Sequence, residues 1–109
     1  MDLLKNIPTD APMNMTEAIH SKPGQVISMA LSKSDHTQMT LLAFGKDEGV
    51  SEETYFGDTL YYVLEGTMKL SEGEKEVLLN AGECIAIPAK ALHAIYGVTD
   101  FKILQITLS

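Results

Sequence analysis

The chain has no arginine, no tryptophan and a single cysteine, and it contains no long apolar run. The missing arginine removes the planar guanidinium fork that grips carboxylates and phosphates at two points. Eight lysines stand against fifteen aspartates and glutamates, for a formal net charge of −7. That balance argues against nucleic acid as a partner, because a phosphate backbone is bound through dense basic patches. A small neutral or weakly polar ligand is easier to accommodate than a large anion. Cys84 alone cannot build an intrachain disulfide framework, which fits a reducing compartment. No stretch approaches the roughly 18 apolar residues that would cross a bilayer as a helix, so no membrane partner is expected. The opening Met-Asp-Leu-Leu-Lys-Asn-Ile-Pro has no basic segment followed by a long apolar one, and the expected location is the cytoplasm.

At 109 residues, 45% of them hydrophobic, the chain has the material for one globular domain with one core. Residues 1–24, with Pro8 and Pro12, read as an irregular arm with a short turn of helix and an edge strand; residues 25–109 read as the domain proper. From Gln25 the sequence is a succession of short apolar runs divided by turn residues. Gln25 to Ser32 places Ile27, Met29 and Leu31 at period two, a strand pattern. Gln38 to Phe44, Asp58 to Leu64, Thr67 to Leu70, Lys75 to Leu79, Cys84 to Pro88, Leu92 to Tyr96 and Phe101 to Leu108 continue the series. Ser71-Glu72-Gly73-Glu74 has the composition of a hairpin turn. Eight or nine strands with turn signals about every ten residues predict an all-β sandwich or barrel.

Several of these strands are apolar on both faces. Leu60, Tyr62 and Leu64 alternate with Tyr61 and Val63; Leu104, Ile106 and Leu108 alternate with Phe101 and Ile103. A strand with one wet face alternates cleanly, so the second face needs a cover. The expected cover is another subunit or the arm of one, which makes the chain a homodimer.

Gly82-Glu-Cys-Ile-Ala-Ile-Pro88-Ala-Lys90-Ala-Leu-His93-Ala-Ile-Tyr-Gly97 is similar to the second motif of the cupins: Gly, five residues, Pro, one residue, Gly, two residues, His, three residues, Asn. Gly82, Pro88 and His93 stand at the motif's spacings; Lys90 and Gly97 depart from it. Asp58-Thr-Leu-Tyr-Tyr-Val-Leu-Glu-Gly66 resembles the close of the first motif. The resemblance spans roughly residues 25–108. It implies a jelly-roll-like double-stranded β-helix with a pocket inside the barrel, and it marks His93 as the counterpart of a metal-ligand histidine. The first motif otherwise runs His-x-His, three or four residues, Glu, six residues, Gly. Counted back from Gly66, those positions hold Glu53, Tyr55 and Thr59. A frame shifted to Ser51 and Glu53 supplies no histidine either.

The parity of Ala91 and Ile95 points His93 into the barrel. An inward histidine on a strand is commonly a hydrogen-bonded core residue; the motif favours a pocket-lining role. Tyr55, Thr59, Tyr61 and Val63 share one parity and are expected to face the same interior, with Met39 and Leu41 as apolar wall. Glu53 sits in an acidic stretch with Asp47, Glu48 and Glu52, where a solvated surface carboxylate and a pocket carboxylate are both reasonable readings. His93 as donor, acceptor or candidate catalytic group, with Tyr55, Thr59, Tyr61, Glu53 and Met39, forms the candidate ligand site. His93 and Glu53 are the candidate ligands for a divalent Zn, Ni, Fe or Mn ion. Two good ligands make a weak site, because first-row ions held by histidine and carboxylate normally take three or four protein donors. The reading is a protein that binds a small molecule inside the barrel with its metal site degraded. The alternatives are a metal-dependent oxygenase or isomerase using His93 and Glu53, and a non-catalytic dimeric interaction module.

Overall fold

The computed structural model describes residues 3–109. After an irregular arm and a single helical turn, α1 (Met15–Ala18), nine strands follow: β1 (Val26–Lys33), β2 (Thr37–Phe44), β3 (Gly49–Glu53), β4 (Asp58–Glu65), β5 (Thr67–Glu72), β6 (Lys75–Asn80), β7 (Cys84–Ile87), β8 (His93–Gly97) and β9 (Phe101–Leu108). They form two sheets, ordered β1-β2-β9-β4-β7 and β3-β8-β5-β6, in which the strand pairs are antiparallel. The sheets face each other as the expected double-stranded β-helix. Eight strands match runs read from the sequence. The ninth, β3, is a mostly polar edge strand with a register irregularity between Val50 and Glu53, so it has no alternation to read. No edge strand occurs in the described part of the arm.

Phe44, Tyr61, Val63, Met68, Leu70, Ile95, Phe101 and Ile103 are buried between the sheets. Phe44 and Phe101, register partners on β2 and β9, stack with centroids 4.4 Å apart and close one end of the interior. A second cluster, Ile19, Leu31, Leu41 and Ala43, lies on the outer face of the five-stranded sheet with Ile7, Met15 and Ala18 of the arm packed on it. Each fully buried aliphatic side chain there contributes about 1.5–3 kcal/mol. The cover for β1 and β2 therefore comes from this chain's own arm, which needs no second subunit. Met39 packs with this outer cluster. That corrects its expected place in the pocket wall: β2 is apolar on both faces, and Met39 and Leu41 take the outer one.

Polar contacts hold the arm. Lys102, 6% exposed, sends its Nζ to the Thr16 carbonyl at 2.5 Å and to Glu65 Oε2 at 3.3 Å. The Lys5 N–H donates to the Leu31 carbonyl at 2.9 Å and Asn6 Nδ2 to the Ala30 carbonyl at 2.7 Å. Those carbonyls flank the register shift of β1, so the arm also blunts an edge that is otherwise open to strand addition.

Candidate functional site

Opposite the Phe44–Phe101 end, the inner face of the barrel becomes polar. Ala30, Thr40, Gln105 and Tyr61 are successive register partners on β1, β2, β9 and β4, and they form one cross-strand row. Same-face neighbours in such a row have Cβ atoms roughly 5 Å apart. The next row outward pairs Gln38 with Thr107 and Thr107 with Thr59. Thr59 and Thr107 are both 2% exposed and share a hydrogen bond of 2.9 Å, so they satisfy each other.

His93 opens β8 and lies across the interior from Tyr61. It is 3% exposed, and both ring nitrogens are engaged. Nδ1 lies 3.0 Å from the Ala91 carbonyl, which can only accept, so Nδ1 carries a proton. In that tautomer the lone pair is at Nε2, 2.7 Å from the Tyr61 hydroxyl, which donates to it. His93 therefore faces the interior, as its parity requires, but it sits behind other side chains and does not line an open wall.

Tyr55 is the side chain in front. Its ring centroid is 5.6 Å from that of His93 at an interplanar angle of 58°, and it packs half-buried against the inner core. Burial is the main force holding its phenol above the usual range; the nearby Gln105 amide opposes this, and the Glu53 carboxylate adds to it. Burial, followed by the proximity of Tyr55 and Glu53, likewise pushes the Tyr61 phenol well above its ordinary value. Both are neutral hydrogen-bonding groups at physiological pH. Glu53 is the register partner of His93 but is exposed, at the rim.

Beside this cluster a groove of about 250 Å³ is lined by Ser28, Ala30, Ser32, Lys33, Gln38 and Thr40. Through Ala30 and Thr40 it joins the row that leads to Gln105 and Tyr61. A larger, open depression of about 480 Å³ lies on the outer face of the other sheet. There Tyr96 donates to Asp47 at 2.5 Å and Lys69 lies over the Tyr96 ring.

The structure thus brings together His93, Tyr61, Tyr55 and, at the rim, Glu53. It sets Thr59 in the same interior, paired with Thr107, and sends Met39 to the opposite face. His20 and His36 are exposed, outside the interior. Cys84, at the start of β7, is exposed as well. Gln105, Thr40 and Gln38 were missed. Gln105 and Thr107 share the parity of Phe101 and Ile103, so their inward direction was present in the sequence as polar residues continuing an apolar row.

Two antiparallel sheets enclosing a core that is apolar at one end and polar at the other define a small barrel of the jelly-roll class. Residues 49–107 match the family model described as "Cupin domain", and the chain belongs to that family. It is 43% identical to a cupin superfamily protein of Desulfitobacterium hafniense, with a TM-score of 0.93 and 96% of each chain covered. A conserved protein of unknown function from Streptococcus pyogenes shares the fold at 21% identity and a TM-score of 0.95, over 100% of this chain and 96% of the other. A Cupin 2 conserved barrel domain protein of Leptotrichia buccalis is similar at 24% identity and a TM-score of 0.88, over 94% of this chain and 49% of that one. No curated protein matches.

Cupins often bind metals, but the residues at this site do not fit such an ion. Among the described residues, no group of three or more His, Cys, Asp and Glu side chains converges. The one imidazole has its lone pair engaged by Tyr61. Both phenols are held protonated, and a protonated phenol is a poor ligand for a first-row ion. Among the described residues no helix is long and apolar enough to cross a membrane.

Proposed function

We propose that this cupin binds a small polar molecule, without a tightly held metal, at the polar end of the barrel. In this reading the ligand lies along the hydroxyl-lined groove of β1 and β2 and reaches Gln105 and Tyr55. The Tyr61–His93 pair stands behind as a fixed polar wall. The observation that carries the reading is the row Ala30–Thr40–Gln105–Tyr61, which continues an open groove into the interior and ends on a buried, hydrogen-bonded imidazole. Ligand sites have this composition, with a few polar groups placed against an apolar floor. A volume of about 250 Å³ suits a small ligand.

Native mass spectrometry and elemental analysis of untagged protein test this. The expected result is a retained organic molecule of low mass that is lost in the Gln105→Leu variant, with no stoichiometric metal. One equivalent of Fe, Mn, Ni or Zn per chain would overturn the metal-free reading in favour of the metal-enzyme alternative. A bare protein mass, together with no fragment bound at this end, would leave only the interaction-module alternative.

A further inference from the structure

The polar end of the barrel is filled by a side chain that does not belong to either sheet. Tyr55 lies in the irregular stretch between β3 and β4, yet its ring packs on the inner core, tilted against His93. Its main chain is held independently of the ring. The Tyr55 carbonyl accepts from the Lys90 N–H at 3.0 Å, and Asp58 Oδ1 accepts from the Ala89 N–H at 2.9 Å. Gly57 fits so closely against Leu108 that a Cβ there would collide with the Leu108 carbonyl. The loop is therefore pinned while the ring hangs from it, half-buried. A change between staggered rotamers about Cα–Cβ carries the ring away and leaves each of these contacts intact.

We propose that Tyr55 is an internal stand-in for the ligand, and that the site accepts a small planar hydroxylated ring of the phenol type once the Tyr55 ring turns out. The inference rests on the reading of this end as the ligand site. The space is already complementary to a phenol. The His93 ring packs tilted against the Tyr55 ring and is itself bonded to the Tyr61 hydroxyl, and Gln105 and Glu53, the register partners of Tyr61 and His93, stand beside this pair. Ser28 and Thr40, in the groove that meets this row through Ala30, are placed to take a hydroxylated substituent on that ring. Ligand and Tyr55 exclude each other, so the tethered ring competes at high effective concentration and weakens binding until it is displaced.

The probe is p-cresol, the tyrosine side chain as a free molecule, titrated into wild type and Tyr55→Ala by isotope-edited NMR. The alanine variant is expected to bind it with shifts at the His93 ring and the Gln105 amide, and the wild type to bind at least about 30-fold more weakly. Equal affinity in the two proteins would overturn the stand-in role while leaving the site reading in place. Binding to neither would overturn the phenol-type ligand, and the Gln105→Leu mass measurement then judges the site reading separately. Tyr55→Val, which keeps an apolar contact at the loop, replaces the alanine variant if that one does not fold; the same outcomes apply.

Discussion

With Nδ1–H given to the Ala91 carbonyl, the His93 ring has one lone pair left, and Tyr61 donates to it. Removing that donor leaves a buried acceptor without a partner. Tyr61→Phe is therefore expected to cost about 1–3 kcal/mol in urea unfolding. A loss below about 0.5 kcal/mol would mean the pair is not held as described. The two phenols give a pH signature. Both are raised in the folded state, mainly by burial, while the unfolded chain titrates near the ordinary phenol value. Their contribution to stability is complete below about pH 10 and declines as pH climbs beyond it, because the unfolded state then loses protons first. Absorbance of tyrosinate should show three of the four tyrosines resisting ionisation above pH 10: Tyr55 and Tyr61 through burial, and the exposed Tyr96 through its hydrogen bond to the Asp47 carboxylate. Four tyrosines titrating together near the ordinary value would contradict their burial. At this scale the sequence was half legible. His93 and Tyr61 follow from strand parity, and Gln105 could have, since it continues the row of Phe101 and Ile103. That Tyr55 stands in front of His93 depends on a loop conformation that parity does not reach.

The arm and the loops carry the element-scale energetics. Ile19, 7% exposed, anchors the arm on the outer cluster, and Ile19→Ala is expected to cost about 2–4 kcal/mol. An effect near zero would show that the arm is not docked in solution. Lys90 has φ +68°, the left-handed region, at the position where the family motif has glycine. Its backbone N–H thereby reaches Tyr55. Lys90→Gly should stabilise the protein by up to about 1 kcal/mol: relief of a strain of about 1–2 kcal/mol outweighs the extra freedom of the unfolded chain. A destabilising result would mean that the lysine side chain makes a contact of its own. Eight strands were legible because period-two alternation survives wherever one face is buried. β3 was not, because Gly49-Val-Ser-Glu-Glu53 is a mostly polar edge held by β8 alone. Met39 was assigned to the wrong face for the opposite reason: β2 is apolar on both sides, and packing partners alone decide which side is inward.

For the molecule as a whole, the motif spacing from Gly66 to His93 carried the fold further than composition could. The site's chemistry was hidden, because Glu53, Tyr55 and Thr59 do not spell the ligand set that the resemblance implies at those positions. The arm accounts for part of the second apolar face, but Tyr62 and Leu108 remain 39% and 53% exposed on its outer side. The homodimer reading predicts twice the monomer mass in light scattering at micromolar concentration; the monomer mass would remove it. The central claim is that ligands enter at the polar end, in front of the Tyr61–His93 pair. The most direct test maps a library of small hydroxylated fragments onto isotope-labelled protein by chemical-shift perturbation. The account predicts that the hits move the Gln105 side-chain amide, Tyr55 and the His93 ring together; hits confined to the outer depression by Asp47, Lys69 and Tyr96, with those signals unmoved, would contradict it.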